Sequence, residues 1–160
     1  MDIQEKMESA PKSEQELRGV LVDTANKIEE IIRNEDKISE KEKGLSLDSN
    51  YLDIQSPYFQ SGRFSFWAGL NKDPFTESSR NGYSAVIKNL RIPQELRNQG
   101  LGKKIVEAWE DSLKNHGVDI FAATNIKDQP AIEFWKKLGY QIPKSETYKK
   151  VPYYMVKKIS

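Results

Sequence analysis

The chain has 160 residues, and its 25 lysine and arginine residues nearly balance 24 aspartate and glutamate residues, for a formal net charge of +1. This balance provides no global field for attracting nucleic acid or an anionic membrane. No apolar run reaches the ~18 residues that a membrane-spanning helix needs. The sequence contains no cysteine and one histidine, His116, which excludes a thiolate nucleophile, a cysteine-based zinc site and a histidine-pair metal site. We therefore expect no metal, no nucleic-acid partner and no membrane partner.

The length is most simply that of one domain. Residues 1–12 are polar, and we expect them to be a flexible N-terminus ahead of a single domain at 13–160. The segment MDIQEKMESAPKSEQ lacks the apolar centre of a secretory signal, so the expected location is cytoplasmic.

The first predicted element is a long helix at residues 14–33. Ser13 and Glu16 have the spacing of a capping box just before it. Apolar residues then recur at helical spacing, namely Leu17, Val20, Leu21, Ala25, Ile28, Ile31 and Ile32. This stripe predicts packing against a core or against a second copy in a homodimer. The charged residues 34–44 either extend the helix or form a loop.

Two strands are predicted in the middle of the chain. Residues 63–70 (RFSFWAGL) are rich in aromatics, which favours a strand, and residues 83–92 form the next one. Pro93 ends this second strand because it cannot donate to a ladder. Residues 45–61 contain apolar side chains without a clear period, and we assign no element there.

The second half alternates between helices and short strands. The predicted helices cover 102–115 and 128–138, and the predicted strands cover 118–123, 140–142 and 153–159. This order indicates an α/β fold, with a mixed central sheet flanked by helices and an antiparallel hairpin at the C-terminal end.

The turn between the strand at 83–92 and the following helix carries a glycine motif, RNQGLG at residues 97–102. Gly100 and Gly102 let the chain turn sharply and expose backbone N–H groups at a helix start. These donors and the helix dipole favour a phosphate or pyrophosphate, and Arg97, Lys103 and Lys104 add positive charge. The alternative is a turn that needs glycine for its geometry alone. A P-loop or a dinucleotide-binding turn fits less well, because Lys104 replaces the required Ser or Thr and a third glycine is missing.

The segments NLRIPQELRNQGLGKKIVEAW and DQPAIEFWKKLGY resemble the two recurring blocks of the GCN5-related N-acetyltransferase (GNAT) superfamily. Arg97, Gly100 and Gly102 fit the first block, written Q/R-x-x-G-x-G/A. Four residues match the second, namely Ala131, Phe134, Gly139 and Tyr140. Asp128 and Trp135 depart from the usual Asn and Tyr. The resemblance covers residues 83–160.

The resemblance implies a GNAT-like fold with acetyl-CoA, or another short acyl-CoA, as co-substrate. The implied cofactor-binding residues are Leu90, Arg91, Ile92, Arg97, Asn98, Gln99, Gly100, Leu101, Gly102, Lys103, Asp128 and Trp135. For Asp128 a helix cap is the competing interpretation. For Trp135 it is packing.

The catalytic groups are open at this stage. Relatives often carry a Glu as general base on the strand at 83–92, but this strand has no acid. Glu95 is the nearest carboxylate, although it can also be a solvated charge in a loop. The alternative to a side-chain base is a relay of water molecules. An indole N–H is no acid at useful pH, so Trp135 cannot replace the usual tyrosine as proton donor. Tyr153 and Tyr154 are weak candidates that are more often core or rim aromatics.

The sequence thus predicts an N-acetyltransferase that moves an acetyl group to a primary amine by direct attack in a ternary complex, since no cysteine can carry the acyl group. The amine belongs to a small molecule or a protein. The alternative is a non-catalytic acyl-CoA-binding or protein-interaction module on the same fold.

Overall fold

The structure is a computed structural model that describes residues 14–34, 44–48, 51–56, 63–71 and 82–159. The predicted N-terminal flexible segment and the predicted cap at Ser13 lie outside these residues.

The described residues form three helices and six strands. The helices are α1 (Glu14–Arg33), α2 (Leu101–Lys114) and α3 (Gln129–Lys137). The strands are β1 (Gly44–Asp48), β2 (Tyr51–Ser56), β3 (Phe64–Asn71), β4 (Ser84–Arg91), β5 (Ile120–Thr124) and β6 (Tyr154–Lys158). Among these helices, none is long and apolar enough to cross a bilayer.

The six strands form one sheet in the order β1-β2-β3-β4-β5-β6. β4 and β5 run parallel and are connected through α2, while every other neighbouring pair is antiparallel. A parallel pair needs a long crossover, and α2 provides it. The predicted mixed α/β sheet is therefore confirmed.

The hairpin of β1 and β2 was not predicted from the sequence. Its register runs from Gly44 opposite Gln55 to Asp48 opposite Tyr51. In β2 the alternation of buried and half-buried residues is carried by two apolar side chains, Leu52 and Ile54. An alternation with a period of two is a weak signal over so short a segment. The segment therefore becomes a strand through its pairing with β3.

The predicted strand at residues 140–142 is wrong as a strand. Gln141 alone pairs with Val156, through N–H donors at 2.8 and 2.9 Å from the opposite carbonyl oxygens. Pro143 follows two residues later and leads into a 3₁₀ turn at Lys144–Glu146, because proline has no N–H to extend a ladder. The antiparallel pairing at this end of the sheet is instead formed mainly by β5 and β6.

The core lies between one face of the sheet and the helices. α1 buries Leu21, Ala25, Ile28 and Ile32, and it packs against α2. The stripe of α1 therefore packs within the chain, as the core interpretation predicts.

A charged network ties α2 to the C-terminal strands. The Tyr140 hydroxyl donates to Glu110 Oε2 at 2.8 Å, and Lys157 Nζ lies 2.8 Å from Glu110 Oε1. Burial and the negative charge of Glu110 raise the pKa of Tyr140 well above its usual value. The phenol therefore stays protonated and acts as a fixed donor.

Candidate functional site

A groove of about 690 Å³ opens between the end of β4, the start of α2 and the start of α3. Its wall contains all of the sequence-predicted cofactor residues except Gln99: Leu90, Arg91, Ile92, Arg97, Asn98, Gly100, Leu101, Gly102, Lys103, Asp128 and Trp135. The wall also contains residues not predicted to contact the cofactor: Asn89, Leu96, Thr124, Asn125, Lys127, Pro130, Ala131 and Phe134. The structure thus brings two segments of the sequence, residues 89–103 and 124–135, to one cleft.

The sheet splits at the inner end of this groove. The parallel pairing of β4 and β5 joins residues 85–87 to residues 121–123. β4 continues to Arg91 with β3 as its partner, whereas β5 ends at Thr124 and the chain turns at Asn125, whose φ is 60°. The outer half of β4 therefore presents a backbone edge to the groove.

Side chains of the protein already bind two carbonyl groups of this segment. The Lys88 carbonyl accepts from Asn125 Nδ2 at 2.5 Å, and the Ile92 carbonyl accepts from Arg97 Nε at 2.9 Å. Because backbone groups alternate in direction along a strand, the N–H and C=O of Leu90 lie on the same edge as these two carbonyls. Arg97 is therefore a brace for the β4 end as well as a cation of the groove.

The first turn of α2 carries unused hydrogen-bond donors. Gly100 is the N-cap with φ 75°, and none of the described side chains caps the helix. Lys104 N donates to the Gly100 carbonyl at 3.0 Å, so the N–H groups of Leu101, Gly102 and Lys103 precede the first intrahelical bond. These three residues line the groove. Their donors and the positive end of the helix dipole form an anion site.

The two glycines of the motif are needed for different reasons. A Cβ on Gly100 would meet nothing within 4 Å, so this position needs glycine because of its left-handed φ. A Cβ on Gly102 would lie 3.2 Å from ring atoms of Phe134 and 3.8 Å from Ile92 Cγ1. Gly102 therefore allows close packing of α2 against the ring that lines the groove.

The groove is rich in positive charge. Its wall contains Arg91, Arg97, Lys103 and Lys127. Asp128 is the carboxylate among the described wall residues, and its Oδ1 accepts from Ala131 N at 3.0 Å as the N-cap of α3. The cap interpretation of Asp128 thus agrees with the geometry. The four cationic side chains outnumber this carboxylate, and the excess positive charge favours an anionic ligand.

Trp135 is held in an aromatic row behind the groove. It is 6 % exposed, and its ring makes edge-on contacts with Phe134 and Tyr140 at centroid distances of 5.0 Å each. These contacts fix the ring in place. Its position matches the packing interpretation more closely than a role in proton transfer.

The predicted catalytic candidates are not assembled at the groove. Tyr153 is 59 % exposed, and the buried Tyr154 has its hydroxyl 3.4 Å from Ser145 Oγ. Neither tyrosine is in the groove wall, and within the described part of the chain that wall contains no tyrosine. The side chain of Glu95 lies outside the described residues. The catalytic part of the site therefore stays a prediction.

A second, smaller cavity of about 330 Å³ lies between α1 and α2. Its wall includes His116 and Thr24, and the Thr24 hydroxyl donates to the Val20 carbonyl at 2.7 Å. His116 thus lies away from the groove. No group of three or more metal-ligating side chains was found in the described part of the chain.

Comparison with known proteins supports the fold. Residues 75–149 match a family model described as FR47-like protein, which belongs to the GNAT superfamily. The resemblance to the GNAT superfamily is confirmed. The matched residues include the whole of β4, α2, β5 and α3, and so they include every residue of the groove wall.

Two further proteins are similar to this chain. It is 31 % identical over 70 residues to N-alpha-acetyltransferase 30 of Schizosaccharomyces pombe, which is 43 % of this chain and 45 % of that protein. The chain thus spans less than half the length of this curated relative. It also superposes on an acetyltransferase from Thermus thermophilus with a TM-score of 0.51 and 18 % identity, over 71 % of this chain and 67 % of the other. The second similarity shows the fold alone.

Proposed function

We propose that the protein is an N-acetyltransferase that moves an acetyl group from acetyl-CoA to a primary amine. The observation that supports this proposal is the uncapped start of α2, which opens on a cationic groove beside the free edge of β4. Each of these features matches one part of an acyl-CoA.

The anionic part of coenzyme A matches the first turn of α2. The N–H groups of Leu101, Gly102 and Lys103 would bind the diphosphate, since three adjacent donors and the helix dipole favour a doubly charged group. Lys127, on the opposite wall, and Arg91 supply further charge for the phosphates.

The pantetheine arm matches the edge of β4. An extended chain with amide groups can pair with an exposed strand edge as an added strand would. On this edge the carbonyls of Lys88 and Ile92 already have donors, so Leu90 is the residue whose N–H and C=O would pair with the arm. The thioester would then lie toward the inner end of the groove, where β4 and β5 separate.

The proposed reaction is direct transfer. The nitrogen of the neutral amine forms a bond to the thioester carbonyl carbon, the C–S bond breaks, the thiolate leaves, and water accepts the proton of the amine. A thiolate is a stable leaving group at neutral pH, so a dedicated acid is not essential. The absence of cysteine from the sequence favours this route over an acyl-cysteine intermediate.

The second hypothesis is a non-catalytic acyl-CoA-binding module. The described groove wall has no tyrosine, and its described carboxylate, Asp128, is occupied as a helix cap. These two observations favour binding without turnover.

Two measurements separate the hypotheses. Calorimetric titration with CoA should show binding under both hypotheses. The Gly102→Val variant is the negative control, in which this binding should be lost. Release of free thiol from acetyl-CoA, measured with a panel of amines, should occur only for the enzyme. Because the curated relative is named an N-alpha-acetyltransferase, the panel should include peptides with free N-termini. Binding without thiol release for every amine would leave the second hypothesis standing, and no binding at all would overturn both.

A further inference from the structure

A lysine held between two aromatic rings lies on the open face of the sheet, next to the inner end of the groove. Lys88 Nζ lies 4.4 Å from the ring centroid of Tyr51 and 4.9 Å from that of Trp67. The Tyr51 hydroxyl donates to Asn71 Oδ1, which orients the ring. Trp67 is 40 % exposed although it is large and apolar. The two rings therefore hold an ammonium group on a surface that a ligand can reach.

A β-bulge gives Lys88 this position. Asn89 lies opposite Trp67 and Ile87 lies opposite Ala68, so Lys88 is the extra residue of β4. Bulges redirect a side chain relative to the regular pleat. The neighbouring Asn89 lines the groove, and the Lys88 carbonyl binds Asn125, another groove residue. The lysine is thus one residue from the groove wall while its side chain reaches across β3 toward β2.

The positive charge of Lys88 has no carboxylate partner among the described residues. The described ion pairs involve other lysines, namely Lys103, Lys114, Lys149 and Lys157. Asp53 lies opposite Trp67 on the same face of the sheet; its carboxylate accepts from the uncharged Gln55 Nε2 at 3.0 and 3.2 Å, and it forms no ion pair with Lys88 among the described residues. A cation–π contact orients an ammonium group without neutralising it. This face therefore presents a fixed cation beside the place where the acceptor must approach.

We propose that Lys88, positioned by Tyr51 and Trp67, binds a carboxylate on the acceptor. This inference rests on the proposed acetyl transfer and names its substrate class: primary amines that also carry a carboxylate about one side chain away from the nitrogen. Amino acids and peptides with an acidic residue next to a free N-terminus share this chemistry. An acceptor with a second positive charge is disfavoured, because like charges repel across the same distance.

Matched acceptors test the proposal. The full chain is assayed for thiol release with acetyl-CoA and C-terminally amidated tetrapeptides that differ only in Glu, Gln or Lys at the second residue. We expect kcat/KM to be about two- to fivefold higher for the Glu peptide than for the Gln peptide, which is the size of effect for a partly exposed charge pair. Free glutamate and glutamine amide form a parallel arm, which distinguishes small-molecule acceptors from peptides.

Two variants separate charge from packing. Lys88→Met keeps the apolar stem over the rings and should reduce the Glu-to-Gln preference to about one, whereas Lys88→Arg keeps the charge and the ring contact and should retain it. Both should bind CoA as the unaltered protein does, since Lys88 is not in the groove wall. Equal rates for the Glu and Gln peptides, or an unchanged preference in Lys88→Met, would overturn the proposal.

A binding measurement keeps the inference distinct from the activity. In the CoA-loaded protein, the Glu peptide should change the tryptophan fluorescence, and Trp67→Phe should lose that change. If this binding occurs but no amine releases thiol, the carboxylate site stands and the acetyl transfer is wrong. If thiol release occurs without any preference for a carboxylate, the acetyl transfer stands and the role of Lys88 is wrong.

Discussion

Gly102 and Phe134 are in contact across the groove, although they are separated by a strand and parts of two helices. A Cβ at position 102 would come within 3.2 Å of two ring atoms of Phe134, which is closer than most real Cβ contacts. A side chain at residue 102 would therefore force the Phe134 ring to shift from its place against the first turn of α2.

Replacing Gly102 by Val should reduce CoA affinity at least tenfold. The branched side chain must displace Phe134 and would also cover the N–H groups at the start of α2. Calorimetric titration measures the affinity. Circular dichroism should show a folded chain, because the displaced ring lies at the rim of a cleft. An unchanged affinity would remove the first turn of α2 from the proposed CoA site.

Substitutions of Gly100 should depend on backbone conformation and not on volume. Gly100→Asn should keep CoA binding within about threefold, since asparagine tolerates the left-handed region and the space around this position is open. Gly100→Val should destabilise the turn by about 1–2 kcal/mol or more, because a β-branched residue is strained at a φ of 75°. Thermal unfolding and CoA titration of the pair test this. Equal behaviour of the two variants would contradict the conformational argument.

Lys127 should contribute to CoA affinity through charge. Lys127→Met should weaken binding by about three- to tenfold at low salt, and the difference should shrink as ionic strength rises, since exposed charges are screened. Lys136→Met is the matched control, because Lys136 is an exposed lysine of α3 that lies outside the groove wall. Equal losses in the two variants would mean that CoA responds to overall charge and not to this site.

The network around Glu110 should respond strongly to loss of its cation. Lys157→Met leaves a buried carboxylate with only the Tyr140 hydroxyl, and we expect a loss of about 1–3 kcal/mol in the free energy of unfolding. Lys158→Met, one residue away and exposed, should change it by less than about 0.5 kcal/mol. Denaturant unfolding of both variants measures the difference. A Lys157→Met protein as stable as the control would show that the ion pair is not stabilising.

Stability at acid pH should depend on Glu146. A hydrogen bond from Lys149 is the main factor that lowers the pKa of Glu146 below its ordinary value of 4.5, and the Tyr153 N–H also donates to it. Because the folded-state pKa is the lower one, this stabilisation is complete above pH 4.5 and is lost as pH falls toward the folded value. Denaturant unfolding from pH 6 to pH 3 should show the decline in the wild type and a shallower one in Glu146→Gln. Parallel curves would contradict the assignment.

Local chemistry was sufficient for much of the fold. The helix at 14–33, the strands at 63–70 and 83–92 and the two later helices agree with the structure to within one or two residues, because their periodicity, glycines and prolines act over a single turn. The hairpin of β1 and β2 was not predicted because such short strands gain their stability from pairing, β1 with β2 and β2 with β3. The segment at 140–142 was over-assigned, because Pro143 limits its pairing to one residue.

The candidate site divides in the same way. The glycine motif and the second block identify two walls of the groove, since the conformation of a helix start depends on adjacent residues. Asn125 and Lys127 carried no comparable signal, and they join the groove only because β5 ends beside β4. Trp67 and Tyr51 likewise could not be linked to Lys88 from the sequence, because the register of β2, β3 and β4 brings the three side chains together.

The amino-acid sequence by itself determined most elements of the second half of the chain, the glycine turn and the resemblance to the GNAT superfamily, because these depend on short-range spacing. Only the tertiary structure decided which donors stay free at the start of α2, which ring requires Gly102, and where the charge of Lys88 lies. Those properties arise from contacts between residues distant in the chain, and a sequence specifies such contacts only through the packing of the whole domain.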